Sequence, residues 1–311
     1  MSLSIFTHDS GLTHDTGPGH PERIDRLVSV LAALEEEPFN ACPRGPVPKA
    51  SREQLERVHE PLYVEGVLAA IPEKGLRRLD GDTVISPGSG DAALYAAGAA
   101  IAAVEHVLTA PEGEAARRAF VATRPPGHHA EPGQAMGFCL FNNVAIAAAH
   151  AIAEYGVSRV AIVDFDVHHG NGTQTVANNR ADIFYASLHQ YPLFPGTGLP
   201  QETGMDRNVL NILMREGSTG AEYRRAFDET LLPALEQYLP ELLIISAGFD
   251  AHERDPLAGI MLTDEDFSWM TRRLREVAEA HAKGRLVSVL EGGYDLHALA
   301  SGVRAHLSEL I

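Results

Sequence analysis

Two cysteines in 311 residues, Cys42 and Cys139, allow no disulfide framework and no cysteine-built zinc site. Both are expected as small buried hydrophobes. Basic residues are also scarce: 25 Lys and Arg against 42 Asp and Glu give a formal charge of −17. A nucleic-acid binder carries a basic face, so no nucleic-acid partner is expected. The negative field suits cationic substrates such as amines or acylated lysine tails, although acidity serves solubility in many proteins. The start, Met1-Ser-Leu-Ser-Ile-Phe-Thr-His8, has neither the basic nor the apolar segment of a secretory signal. No apolar run reads as membrane-spanning. These absences predict a cytoplasmic protein with no membrane partner, and they leave homo-oligomerisation open.

What the chain does contain is apolar sequence, 45% of it hydrophobic, enough for a substantial core. After a short first strand near Ser4 and helices predicted over 24–31, 52–58, 61–70 and 91–108, one pattern recurs. Apolar runs at 119–123, 160–167, 183–189, 242–246 and 286–290 each end in a polar or Gly-rich tip. Helical stretches are predicted between them, at 135–155, 221–238, 263–282 and 296–310. Strand–helix alternation implies an α/β fold, a central parallel sheet flanked by helices on both faces. No linker, repeat or low-complexity tract divides the chain, so 1–311 is read as a single domain.

The most informative tip is Val160-Ala-Ile-Val-Asp-Phe-Asp-Val-His-His-Gly-Asn-Gly172. Strand side chains alternate, so Asp164, Asp166 and His168 leave one face and Phe165 and Val167 the other. Carboxylates and an imidazole at the end of a buried strand require a cation or one another. Carboxylate plus imidazole is a normal ligand pair for zinc, and a salt-bridged strand end is the bland alternative. Asp255, in the tip after 242–246, can supply a third carboxylate; three protein ligands leave a fourth position for water. His128 and His129, on a Pro-Gly loop, are candidate proton acceptors, with Asp164 and Asn171 as partners that would set their tautomers. Tyr294 can donate to a developing oxyanion or be a core tyrosine. Gly137, Phe138 and Phe194 can line a narrow slot or simply pack in the core.

Arg124-Pro-Pro-Gly-His-His-Ala130, Gly137-Phe-Cys139, Asp164-Phe-Asp-Val-His-His-Gly-Asn-Gly-Thr-Gln174, Phe194-Pro-Gly-Thr-Gly198, Ser246-Ala-Gly-Phe-Asp-Ala251, Asp255-Pro-Leu257 and Glu291-Gly-Gly-Tyr294 together resemble the histone deacetylase family. The order is kept across nearly the whole chain from His20-Pro-Glu-Arg23, and the flavour is that of class II enzymes and bacterial relatives, including acetylpolyamine amidohydrolases. The resemblance implies the arginase–deacetylase fold and zinc on Asp166, His168 and Asp255. It implies His129 as general base and acid, His128 as its electrostatic partner bonded to Asp164, and Tyr294 polarising the amide carbonyl. Phe138 and Phe194 would flank an acyl-lysine tunnel, the Gly137 carbonyl would accept the amide N–H, and Arg26 would lie near an acetate exit channel. A potassium ion is implied on Asp164, Asp166, His168, Ser187 and Leu188.

Leu262 matches the position where polyamine-selective members carry a glutamate gatekeeper, which weakens that preference. The aspartate that grips substrate backbone in class I enzymes has only Asp82 as a distant stand-in. The expected activity is zinc-dependent removal of acyl, chiefly acetyl, groups from acylated amines such as acetyl-lysine. The alternatives are an acetylpolyamine or other small N-acyl amide deacylase, an arginase-like ureohydrolase needing two metals, and an inactive acyl-lysine binder.

Overall fold

The computed structural model describes residues 3–111 and 117–311. Seven parallel strands form one sheet: β1 (Leu3–Thr7), β4 (Arg118–Ala122), β5 (Val160–Asp164), β6 (Ile183–Gln190), β7 (Val209–Met214), β8 (Leu242–Ala247) and β9 (Leu286–Leu290). Their spatial order is β1-β4-β9-β8-β5-β6-β7. A two-stranded antiparallel ribbon, β2 (Arg77–Arg78) and β3 (Val84–Ile85), stands apart. The helices are α1 (Ile24–Leu34), α2 (Arg52–Leu55), α3 (Pro61–Ala70), α4 (Ser89–Thr109), α5 (Asn143–Tyr155), α6 (Asn171–Asn178), α7 (Gly220–Ala226), α8 (Leu232–Tyr238), α9 (Asp264–His281) and α10 (Leu296–Ser308).

The central strands are apolar on both faces because both are covered. In β5, Ala161 and Val163 enter a core shared with α1, α9 and α10. Val160 and Ile162 enter the opposite core, shared with α4 and α5. β4 runs outward past two positions to β5, and β8 and β9 return later to fill the gap. In open parallel sheets ligands sit beyond the carboxyl ends at such a reversal of strand order, and here those ends belong to β4, β9, β8 and β5.

Several boundaries differ from expectation. The run 160–167 stops being a strand at Asp164, yet its alternation persists, since Phe165 and Val167 still point into the α1/α9/α10 core. The helix expected from 135 begins only at Asn143, where Asn142 caps it by accepting the Ala145 N–H at 3.0 Å. The helix expected over 52–58 ends at Leu55. In α1, Val28 faces outward and the buried stripe is Leu27, Val30 and Leu34. β7 and the ribbon were not anticipated, because β7 alternates only weakly at a sheet edge and the ribbon strands have two residues each. The absence of membrane-length apolar helices also needs correcting. α4, at 21 residues, is long and apolar enough to cross a bilayer; its small residues instead pack against β1, β4 and α5.

Candidate active site

The loop after β4, Arg124 to Ala130, is held at its base by Glu291 at the end of β9. One carboxylate oxygen of Glu291 accepts the N–H groups of Gly127 (2.6 Å) and His128 (3.1 Å). His128 donates from Nδ1 to Asp164 at 3.0 Å, and Tyr185 donates to the same oxygen at 3.1 Å. Burial alone would depress the His128 imidazole, but Asp166 and Asp164 outweigh it and push the pKa up to about 10. His129, next in the chain, meets an amide instead: its Nδ1 lies 2.8 Å from Asn171 Oδ1. Burial, reinforced by the positive charge of His128 and His168, holds His129 well below the ordinary imidazole range. An amide oxygen only accepts, so Nδ1 carries the proton and Nε2 keeps its lone pair.

Just past β5, Asp166 accepts from the His168 N–H (2.9 Å) and from the Gly292 N–H (2.8 Å). A side chain at 292 would collide with the Asp166 and Asp250 carboxylates, so glycine is what lets the β9 loop approach. His168 Nδ1 is 3.2 Å from Asp166 and 3.0 Å from Asp250. Burial would lower His168 as well, but these two carboxylates raise it to about 10. Asp250, fully buried beside Asp166, is pushed up to about 7. Among the described residues, Asp166, His168 and Asp250 form a group whose ligand atoms all lie within 4.8 Å of one another.

Asp255, expected as the third ligand, lies outside that group. Its carboxylate accepts the N–H groups of Tyr294 (2.7 Å) and Asp295 (3.4 Å) with one oxygen and that of Leu257 (3.0 Å) with the other. It remains near enough for its charge to act on Asp250 and for His168 to act on it. Asp250, three residues beyond the end of β8, reaches the tip after β5 and accepts the Val167 N–H at 2.8 Å, whereas Asp255 is bonded to the Tyr294 loop.

The donor set fits a divalent cation. Asp164, Asp166, Asp250 and Glu291 are all fully buried, and the excess negative charge holds protons on His128 and His168. Buried carboxylates and imidazoles in excess of local positive charge are the donor chemistry that a divalent cation would complete.

A cavity of about 270 Å³ opens onto this cluster, lined by Asp82, His129, Gly137, Phe138, His168, Leu193, Phe194, Leu257 and Tyr294. Phe138 and Phe194 are therefore wall, not core. The Phe194 ring stands edge-on to His129 at 5.1 Å between centroids, and Phe138 stands edge-on to Tyr294 at 5.9 Å. Phe138 adopts φ 69°, a left-handed conformation costing a non-glycine residue about 1 kcal/mol or more. Beneath the floor, Arg26 is fully buried and donates to the carbonyls of Gly293 (2.6 Å) and Glu291 (2.5 Å). Its guanidinium also lies 4.9 Å from the Tyr294 ring centre.

The histone deacetylase domain pattern matches residues 20–310. The chain belongs to the histone deacetylase family. It is 46% identical over 285 residues to a histone deacetylase-like amidohydrolase of Pseudomonas aeruginosa, covering 90% of this chain and 72% of that one. It is 44% identical over 313 residues to an uncharacterized protein of Synechocystis, covering 99% of each. The crystal structure of the HDA15 HD domain superposes with a TM-score of 0.91 at 32% identity, covering 99% of this chain and 87% of that one. The family's arginase–deacetylase fold is thus the fold of this deacetylase-family chain.

Of the residues singled out from the sequence, His129, His168, Gly137, Phe138, Phe194 and Tyr294 line the cavity, and Asn171 and Asp166 bond to His129 and His168 from behind, with His128 on Asp164 beside them. Ser187 lies opposite Asp164 in the β5–β6 register, and Leu188 follows it, buried. Leu262 does not line the cavity. Its N–H bonds to the Ala251 carbonyl and its carbonyl accepts from Glu253, which turn its side chain into the core. Leu257 takes the wall position instead. Asp250 was missed: it sat in a quoted strand tip beside the more conspicuous Asp255-Pro. Asp82, named from the sequence only as a distant stand-in, does reach the cavity, because the ribbon folds its loop against Gly137, whose N–H it accepts at 3.2 Å.

Proposed function

We propose that this deacetylase-family protein hydrolyses the N-acyl amide of acetyl-lysine or a similar acylated amine, with Zn²⁺ as its resident ion. The observation carrying this reading is the aromatic-walled cavity of about 270 Å³ that ends on His129, His168 and Tyr294. Asp166 and His168 would hold the ion with a carboxylate of the 247–256 loop, Asp255 by resemblance or Asp250 by proximity. At such a site a divalent ion supplies polarisation of the amide carbonyl and a lowered pKa for bound water.

The chain's own groups do the rest. His129 Nε2 takes the proton of the attacking water and returns it to the leaving amine. His128 would be held beside the reacting centre, as the electrostatic partner of His129, by its Nδ1–H bond to Asp164. Burial pushes the Tyr294 phenol well above its ordinary range, so it remains a hydrogen-bond donor for the developing oxyanion. Arg26 holds the Gly293 carbonyl and so fixes the loop that carries Tyr294. The Gly137 carbonyl and the Asp82 carboxylate offer acceptors to a substrate N–H or cationic group at the wall. The potassium ion implied by the resemblance has oxygen donors available from Asp164 and Ser187. The test is acetate release by the zinc-loaded protein from acetyl-lysine peptides and acetylated polyamines; no release from any acyl amide would refute the reading.

A further inference from the structure

The side-chain amide of Asn171 can serve His129 in only one of its two orientations. With Oδ1 toward His129, the imidazole proton sits on Nδ1 and the Nε2 lone pair is left for the cavity. Turned by half a revolution, the amide would present N–H to Nδ1, drive the proton to Nε2 and remove the base. What surrounds the amide nitrogen therefore decides the tautomer. Asn171 Nδ2 donates to Glu131 Oε1 at 2.7 Å, and lies 3.4 Å from the His129 carbonyl and 3.2 Å from Met136 Sδ. The second Glu131 oxygen accepts from Thr175 Oγ1 at 3.0 Å, which aims the carboxylate. All the neighbours of Nδ2 are acceptors, and Glu131 is the one that is both charged and near; a reversed amide would set oxygen against carboxylate.

We propose that Glu131 is a positioning residue that locks the Asn171 amide and, through it, holds His129 in its Nδ1–H tautomer with Nε2 free. The inference rests on the reading of His129 as the base. The carboxylate does this without being needed to hold its own loop: the Glu131 N–H bonds to the Gln134 carbonyl at 2.9 Å, and its carbonyl accepts from His59 Nδ1 at 3.0 Å.

The test uses the full-length zinc-loaded protein with an acetyl-lysine reporter. Glu131→Leu should lower kcat about 10–100-fold, the usual cost of losing a residue that orients a site imidazole, while KM changes by less than about twofold. Glu131→Gln, which still offers an amide oxygen to Asn171 and an N–H to the Thr175 hydroxyl, should restore kcat to within about threefold of wild type. An aspartate at 171 has two acceptor oxygens and no donor, so in an Asn171→Asp background Glu131→Leu should cost less than about twofold. An equal loss in both backgrounds, or no loss in the first, would overturn the proposal. Histidine ¹⁵N spectra read the tautomer without turnover: His129 should be protonated on Nδ1 in the wild type and shift toward Nε2 in Glu131→Leu. An unchanged tautomer overturns the inference whatever the activity. A shifted tautomer in a protein that hydrolyses no acyl amide sustains it while sinking the hydrolase reading.

Discussion

Two buried imidazole environments in this molecule give opposite results. At the strand tips, His128 and His168 are surrounded by carboxylates and rise to about 10. Behind the sheet, between β9, α9 and α10, His306 is equally buried but faces hydroxyls and rings. Its Nδ1 lies 2.6 Å from Thr271 Oγ1 and its Nε2 2.8 Å from Ser288 Oγ. Thr271 already donates to the Phe267 carbonyl, so His306 donates from Nδ1 and accepts at Nε2. Burial then pulls His306 down to about 3. Desolvation is common to both and always opposes the imidazolium; nearby carboxylates outweigh it at His128 and His168, and none does so at His306. The carboxylates around them, not burial alone, separate His128 and His168 from His306.

This contrast can be broken at several points, and the largest effect should come from the cation. Stripping metal with a chelator should abolish acyl-amide hydrolysis, and zinc should restore it; full activity in metal-free protein would remove the reason for the carboxylate cluster. His129→Ala should lower kcat by about 10³-fold, within the range for loss of a general base, checked by steady-state kinetics. Tyr294→Phe should cost about 100–1000-fold in kcat, as removal of one oxyanion donor does, with metal content unchanged by elemental analysis. In the neutral region, His306→Leu should leave kcat intact but destabilise the fold by about 1–3 kcal/mol, because the Ser288 hydroxyl loses its buried acceptor; urea unfolding reads this.

The smallest effect is a pH dependence with a definite sign. The unfolded chain protonates His306 near pH 6.5 and the native state only near 3, so its contribution to stability is full above 6.5 and declines as pH falls. The decline is at most about 1.4 kcal/mol per pH unit for one group. His306→Leu should flatten the loss of stability between pH 6.5 and 4, measured by denaturant midpoints across that range.

The strand–helix alternation and the tip at 160–172 were legible because period and chemistry coincide there: an apolar run cannot end in two aspartates and two histidines without consequence. The family motifs then placed His129, Tyr294, Phe138 and Phe194 together. What escaped depended on three-dimensional reach. Nothing in Asp250 or Asp255 distinguishes the nearer carboxylate until the length of loop past β8 is known. Leu262 and Leu257 are alike in composition, and only the backbone bonds of Leu262 turn it inward. Glu131 follows His129 by two residues, yet its part depends on where α6 places Asn171 and Thr175.

The most direct measurement is the divalent-metal content of the purified protein, compared with Asp166→Asn, Asp250→Asn and Asp255→Asn variants whose folding is verified by circular dichroism. One zinc ion per chain is expected, lost with Asp166 and with whichever of the two later aspartates binds it. A folded wild-type chain that takes up no divalent ion from zinc-containing buffer, or an Asp166→Asn variant that keeps its full complement, would contradict that expectation.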